Sequence, residues 1–290
     1  MSRIDIESIY YKYIDKYVNE VKILDKKPKV AIIQVGDVPE SNTYVNNKIK
    51  AFNTVGVEYE LFKFDNDVTQ YKITTLLDGL SHDDNYTGIF VQLPLPKQLD
   101  FSKLKNYINP LKDIDGLCDE NTIKLYNGDN TGIVPATPAA VMLLLNELNI
   151  DLTDKLVCVI NRSDLIGKPL IHLLTQKNAT IIWCNSHTNS IDICESLNNS
   201  DIIVSGINKA NIYNKQYFNN DIFFTQTIID LTTVYNDGKL YGSIKRDDYK
   251  DIMKYNDLTT VGCGKMGMGK LTIIALIGNI IKSYKLQNFS

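Results

Sequence analysis

The chain has 290 residues, of which 44% are hydrophobic and 22% are charged, close to the averages for soluble globular proteins. Its formal net charge of −3 offers no basic surface for nucleic acid, and no run approaches the roughly 18 apolar residues that a membrane span needs. The N-terminus carries early acidic residues and lacks the apolar segment of a secretory signal, so we expect a cytoplasmic protein.

Strands and helices alternate along the chain, a pattern typical of βαβ units and a largely parallel sheet. Near-continuous apolar runs predict strands buried on both faces. The predicted strands cover residues 30–35, 57–64, 88–93, 156–160, 180–183, 201–204 and 227–230. A helix is predicted after Thr137-Pro138, and a long helix from Leu271 to Tyr284. Turn-forming residues at 130–138 place the boundary between two sheets there.

Five cysteines are scattered along the chain without a C-x-x-C pair. They are Cys118, Cys158, Cys184, Cys194 and Cys263. An odd, unpatterned set favours neither a disulfide framework nor a zinc site. We therefore predict a reducing compartment and no bound metal.

Ser41, Tyr44 and Lys48 follow the first predicted strand with the spacing i, i+3, i+7, which places them on one helix face. The start of this helix lies at the carboxyl end of a strand, where open α/β sheets bind ligands. Taken alone, the spacing fits an ordinary amphipathic helix with a solvated lysine.

Two further segments favour a functional site. Residues 91–96, Val-Gln-Leu-Pro-Leu-Pro, place the Gln92 amide at the end of a buried strand before a rigid loop, although Gln92 could simply cap a turn. Residues 109–116 contain Asp113 and Asp115 followed by Gly116, which suits a carboxylate aimed into a cleft with a sharp turn behind it. For Asp113 we favour an Asx turn, and for Asp115 a functional role.

A third segment, residues 161–169, lies between a strand and a helix and suits phosphate binding by backbone N–H groups and the positive helix end. It holds a single glycine, Gly167, so as a general nucleotide motif it is weak.

Together these segments resemble the bifunctional methylenetetrahydrofolate dehydrogenase/cyclohydrolase family. The family patterns are S-x-x-Y-x-x-x-K, V-Q-L-P-L-P, P-x-K-D-V-D-G, P-x-T-P, G-R-S-x-x-V-G-x-P and C-H-S-x-T. They match, in the same order, residues 41–48, 91–96, 110–116, 135–138, 161–169 and 184–188. The combination of V-Q-L-P-L-P with K-D-I-D-G is specific to this family.

The resemblance implies an α/β fold with two domains and an active cleft between them. Residues 1–137, completed by a C-terminal helix at 271–290, would form a three-layer α/β catalytic domain that binds folate. Residues 138–270 would form a Rossmann-like NADP-binding domain. A homodimer through the cofactor domain is also implied, with tetrahydrofolate derivatives as the small-molecule partners.

The implied activity is oxidation of 5,10-methylene-tetrahydrofolate with NADP+, followed by hydrolysis of the methenyl product to 10-formyl-tetrahydrofolate, a step of one-carbon metabolism. Lys48 would lie at the reacting centre, Gln92 would orient it, and Tyr44 would stack on the folate ring. Asp115 would accept paired hydrogen bonds from the amino edge of the pterin. Leu93 would also contact the substrate.

On the cofactor side, the implied contacts come from Asn161, Arg162, Ser163, Ser186 and Thr233. Arg162 and Ser186 match the residues that line the adenosine 2′-phosphate pocket in NADP-using members. A planar guanidinium suits a phosphate dianion, which favours NADP over NAD.

The cofactor half departs from the family patterns. Asn161 replaces the glycine of G-R-S, Asn185 replaces the histidine of C-H-S, and D-V-G-I-N reads Asp-Leu-Thr-Thr-Val at 230–234. The loop at 260–272 has lost its prolines but keeps glycines, and the resemblance places Gly262 and Gly264 against the substrate. Tight closure of that loop is therefore not predicted.

Three alternatives remain. Short-chain dehydrogenases also use a Y-x-x-x-K pair, but in them the pair lies downstream of the nucleotide-binding turn, whereas Tyr44 precedes every candidate cofactor strand. A cyclohydrolase that has lost hydride transfer would explain why the cofactor half departs from the family patterns. A non-catalytic descendant would have no physical need to keep Tyr44, Lys48, Gln92 and Asp115 together.

Overall fold

In the computed structural model the chain divides into two compact units. The structure describes residues 5–218, 226–236, 239–245, 259–261 and 267–289. The N-terminal unit comprises Tyr10–Ala136 and Ile273–Ser290, and the central unit comprises Thr137–Thr272 with the first residues of the chain up to Ile9. Among the described helices, none is both long and apolar enough to span a membrane.

The N-terminal unit is built on a parallel sheet in the order β2-β1-β3. Its strands are β1 (Lys29–Val35), β2 (Glu58–Phe64) and β3 (Gly88–Val91). The helices with residues in this unit are α1 (Ile6–Lys22), α2 (Pro39–Val55), α3 (Gln70–His82), α4 (Phe101–Leu104), a 3₁₀ turn at Lys105–Tyr107, α5 (Asp119–Tyr126) and the C-terminal α9 (Met268–Asn288). The three predicted strands of this half are confirmed, but β3 ends at Val91, which leaves Gln92 just beyond the strand.

The two faces of this sheet differ in chemistry. Ala31, Ile33 and Val91 belong to a buried apolar cluster that includes Ile73 and Leu77 of α3. Alternate residues point to the opposite face. That face carries fully buried apolar side chains in the strands and then, at the carboxyl ends, the amides of Gln34 and Gln92.

The central unit contains a parallel sheet whose order, within the described residues, is β10-β7-β6-β4-β5. Its strands are β4 (Leu156–Ile160), β5 (Thr180–Cys184), β6 (Ile202–Ser205), β7 (Thr227–Asp230) and β10 (Thr259–Val261). An antiparallel pair, β8 (Val234–Asn236) and β9 (Lys239–Tyr241), follows β7. The helices are α6 (Ala136–Glu147), α7 (Gly167–Thr175), α8 (Ser190–Asn199) and a 3₁₀ turn at Lys215–Tyr217.

The strand order reverses beside β4, because β5 pairs on one side of it and β6 on the other. The carboxyl ends of β4 and β6 therefore form the topological switch point of the sheet, the usual position of a ligand in doubly wound folds. The turn that begins at Asn161 lies there.

Some details differ from the sequence predictions. The edge strand β5 is not buried on both faces, since Trp183 is 47% exposed. Strands β8, β9 and β10 were missed because each has three residues and no apolar run. Helix α6 begins at Ala136, before Thr137-Pro138, and α9 extends beyond both predicted ends.

Candidate active site

Lys48 is carried by α2, which begins directly after the carboxyl end of β1. Gly36 makes the turn with φ of +80°, and Pro39 occupies the first helical turn, where its missing N–H is not needed. Along this helix Ser41 is buried, Tyr44 is 46% exposed and Lys48 is partly buried. The Tyr44 ring is thus accessible one turn before the lysine.

The Lys48 ammonium contacts the end of β3. Its Nζ donates to Gln92 Oε1 at 3.2 Å and lies 4.1 Å from the centroid of the Phe90 ring. Gln92 Nε2 donates to the Leu93 carbonyl at 2.6 Å, so the amide is oriented with its oxygen toward the lysine. The Leu93–Pro94 peptide that follows is cis.

Lys48 and Asp115 influence each other's proton affinity. Burial lowers the pKa of Lys48 below that of an ordinary lysine, and the Asp115 carboxylate opposes this shift. Burial likewise raises the pKa of Asp115, opposed by Lys48. Within the described residues the Asp115 carboxylate has no hydrogen-bond partner, so it keeps its acceptor capacity for a ligand.

A tight turn sets the position of Asp115. Gly116 has φ of +67°, and a Cβ at this position would lie 2.6 Å from the Ile133 carbonyl oxygen. Glycine is therefore required for both conformation and space. The preceding residue, Ile114, is fully buried, which fixes the other side of the turn.

The Asp113 carboxylate is a buried acceptor whose partners lie further along the chain than the Asx turn that we favoured would place them. It accepts from the Cys118 N–H at 2.8 Å and from Asn121 Nδ2 at 3.1 Å. Asn121 Oδ1 in turn accepts from the Ile133 N–H at 3.0 Å. This buried network ties the Asp115 loop to α5.

The C-terminal helix holds the same loop from the other end of the chain. Asn279 Nδ2 donates to the carbonyls of Ile114 and Val134, both at 2.8 Å. Ser283 Oγ lies 2.6 Å from both the Thr87 and the Leu111 carbonyl oxygens, and its single hydroxyl proton is donated to one of them at a time. These two residues were not predicted, because nothing in the local sequence shows that a polar group of a helix meets a loop some 165 residues earlier.

Gln34 was also missed. It is 2% exposed, and its Nε2 donates to Asn42 Oδ1 on the first turn of α2 at 2.6 Å. Asn42 Nδ2 donates to Asp37 at 2.8 Å, which links β1, the turn and the helix. Since Val91 pairs with Ile33, Gln34 lies opposite Gln92 at the end of the sheet.

The predicted cofactor residues lie at strand ends in the central unit. Arg162 follows β4 and Ser186 follows the neighbouring β5, and both are exposed. Thr233, also exposed, follows β7, which is separated from β4 by β6. Gly262 and Gly264 lie outside the described residues.

Asn161 and Ser163 are engaged within the turn itself. Asn161 Oδ1 accepts from the Ser163 N–H, the Ser163 hydroxyl and the Gly167 N–H. A Cβ at Gly167 would lie 2.1 Å from the Asn161 carbonyl oxygen, so only glycine fits at the start of α7. The N–H groups that the sequence suggested for phosphate thus have an internal partner.

Comparisons with known proteins match both halves of the chain. The model of the tetrahydrofolate dehydrogenase/cyclohydrolase catalytic domain matches residues 4–115, and that of the NAD(P)-binding domain of the same family matches residues 135–288. The bifunctional protein FolD of Mycoplasma mycoides subsp. mycoides is 35% identical over 282 residues, covering 97% of this chain and 93% of the relative. That of Bacillus subtilis is 34% identical, covering 93% and 92%.

Solved structures of such enzymes share the fold. The FolD methylenetetrahydrofolate dehydrogenase/cyclohydrolase of Campylobacter jejuni has a TM-score of 0.91 at 28% identity and covers 99% of both chains. The enzyme of Trypanosoma brucei, solved with NADP cofactor and inhibitor, has a TM-score of 0.90 at 26% identity and covers 100% of this chain and 99% of the other.

Proposed function

The chain belongs to the tetrahydrofolate dehydrogenase/cyclohydrolase family, and we propose that it oxidises 5,10-methylene-tetrahydrofolate with NADP+ and hydrolyses the 5,10-methenyl product to 10-formyl-tetrahydrofolate. One observation carries this proposal. The Lys48 amine, with its lowered pKa, is held against Gln92 and Phe90 while the Asp115 carboxylate beside it remains available to a ligand. Family membership also removes the short-chain dehydrogenase alternative.

Hydrolysis is the step that needs a proton acceptor. Water adds to the methenyl carbon, and a proton must leave the attacking oxygen as the C–O bond forms. The bond from that carbon to N5 then breaks as N5 takes up a proton, which leaves the formyl group on N10. Neutral Lys48 Nζ would accept the proton from the attacking oxygen, because its lowered pKa increases the fraction of free amine near neutral pH. Gln92 Oε1 would keep the amine in position through the hydrogen bond that Lys48 donates.

The folate would be held by groups around the lysine. Tyr44 exposes its ring one helical turn away, where it would stack on the folate ring system. The Asp115 carboxylate would accept two hydrogen bonds from the amino edge of the pterin, a bidentate arrangement that also fixes orientation. Leu93, next to Gln92, would complete the contact.

The cofactor residues fit NADP+ by their chemistry. Arg162 and Ser186 present an exposed guanidinium and hydroxyl at the carboxyl ends of two neighbouring strands, a donor pair that suits the 2′-phosphate. When bound, NADP+ accepts the hydride from the methylene carbon. Thr233 would contact the cofactor from the end of β7.

We also propose that the protein acts in the cytoplasm as a homodimer.

A direct assay tests the function. The purified protein is incubated with 5,10-methylene-tetrahydrofolate and either NADP+ or NAD+, and the methenyl product and reduced nucleotide are followed by absorbance. We expect reduction with NADP+ in preference to NAD+. Absence of reduced nucleotide in both reactions would refute the dehydrogenase activity.

A second candidate function is cyclohydrolase activity alone. It is favoured by the turn after β4, whose backbone donors are engaged by Asn161. Adding 5,10-methenyl-tetrahydrofolate directly separates the cases. Hydrolysis without oxidation would establish a cyclohydrolase, and the absence of both activities would leave a non-catalytic descendant.

A further inference from the structure

Three hydrogen-bond donors converge on a single oxygen at the β4–α7 turn. Asn161 Oδ1 accepts from the Ser163 N–H at 2.8 Å, the Ser163 hydroxyl at 2.8 Å and the Gly167 N–H at 3.0 Å. Gly167 opens α7, so its N–H also carries the positive end of the helix dipole. Backbone N–H groups at the start of a helix suit an anion, and these three converging donors are called the nest.

The rest of the Asn161 residue fixes this arrangement. Its Nδ2 donates to the Gly206 carbonyl at the end of β6, so the side chain joins β4 and β6 across the switch point. Its main-chain carbonyl accepts from Trp183 Nε1 at 2.7 Å. The amide therefore cannot rotate away from the nest without breaking bonds on both sides.

We propose that Asn161 is an internal ligand that competes with the cofactor diphosphate for the β4–α7 turn. This inference depends on the proposed function for the identity of the nucleotide. The neutral amide oxygen takes the donors that would otherwise meet a phosphate oxygen at the switch point. Nucleotide binding then depends on side chains at the strand ends, Arg162 and Ser186, more than on the turn backbone.

Removal of the amide should open the turn to anions. In Asn161→Ala the two N–H groups and the Ser163 hydroxyl lose their partner and become available to a diphosphate. We expect inorganic pyrophosphate, NAD+ and NADP+ all to bind about tenfold more tightly, equivalent to about 1.4 kcal/mol. The gain should be equal for both nucleotides, because they share the diphosphate.

Trp183 supplies the measurement. It is the single tryptophan of the chain, it is exposed, and it contacts Asn161, so its fluorescence reports on this turn. Titration of the full-length protein with each of the three ligands gives dissociation constants without requiring turnover. Asn161→Asp is the matched control, since it keeps an acceptor of the same size in the nest and adds a negative charge. It should bind all three ligands no better than the wild type.

Unchanged or weaker binding of pyrophosphate and both nucleotides to Asn161→Ala would overturn the proposal. So would a gain confined to NADP+, which would mean that the residue acts on the 2′-phosphate. If Asn161→Ala unfolds, Asn161→Gly and Asn161→Ser, which also remove the amide, are titrated under the same criteria. Tighter pyrophosphate binding by a protein that reduces no nucleotide would support the inference while refuting the dehydrogenase.

Discussion

Lys48 is partly buried against an aromatic ring and donates to an amide oxygen of fixed orientation. If it accepts the proton from water, removal of the amine should stop hydrolysis. We predict that Lys48→Met lowers the hydrolysis rate by at least about 100-fold. Methionine keeps an apolar stem of similar length over Phe90, so the thermal midpoint should change little.

Lys50 provides the matched control. It lies on the same helix but is exposed. Lys50→Met should retain wild-type hydrolysis, measured by the loss of methenyl absorbance. Full activity of Lys48→Met would show that another group accepts the proton.

Asp115 should shift the pH profile of hydrolysis. The rate depends on neutral Lys48, so it rises as pH increases through the lowered pKa of the lysine and then levels off. The Asp115 carboxylate favours the ammonium form. In Asp115→Asn that attraction is lost, the pKa of Lys48 falls further, and the rise in rate should move to lower pH.

The profile is measured at saturating methenyl substrate, because Asp115→Asn should also raise KM through the loss of a bidentate acceptor. Asp119→Asn, an exposed carboxylate four residues further on, should leave the profile unchanged. A rise displaced to higher pH in Asp115→Asn would contradict the electrostatic coupling.

At the scale of elements, the sequence predicted those that have a strong apolar pattern. The buried strands β1, β4 and β6 were recognised because short apolar runs rich in Val and Ile leave little alternative. Strands β8 and β9 pair through three residues each, and only the antiparallel contact between them defines them as strands. The helix that carries Lys48 was found from spacing, but its proximity to Gln92 came from the resemblance.

The contacts of α9 could not be predicted, since they join residues far apart in the chain. Asn279 is 7% exposed and satisfies two loop carbonyls. We predict that Asn279→Ala lowers the free energy of unfolding by about 2 kcal/mol, because buried acceptors lose their donors. Urea denaturation provides the measurement.

The same change should raise KM for the folate, since the Asp115 loop loses one of its supports. Lys285 is an exposed residue of α9 that pairs with Glu20, and Lys285→Ala is the control. It should lower the free energy of unfolding by about 1 kcal/mol or less. Equal stability of the wild type and Asn279→Ala would show that water replaces the amide without cost.

At the scale of the whole molecule, the residues proposed for the two chemical tasks lie in different units. Lys48, Gln92 and Asp115 belong to the N-terminal unit, and Arg162 and Ser186 belong to the central unit. The residue types at each site could be predicted from the sequence. The occupation of the β4–α7 turn by Asn161 could not, because side-chain rotation decides whether an asparagine faces solvent or its own backbone.

This division predicts that cofactor preference can be changed without affecting hydrolysis. Arg162→Ala removes the guanidinium proposed to hold the 2′-phosphate, and a hydrogen bond to a charged group contributes about 1.5–3 kcal/mol. KM for NADP+ should therefore rise by about 10- to 100-fold, whereas KM for NAD+ should change little. Arg162→Lys keeps the charge but not the planar guanidinium, so its KM for NADP+ should lie between those of the wild type and Arg162→Ala. Hydrolysis of methenyl-tetrahydrofolate should remain at the wild-type rate in both variants. An equal rise in KM for NAD+ and NADP+ would show that Arg162 does not hold the 2′-phosphate.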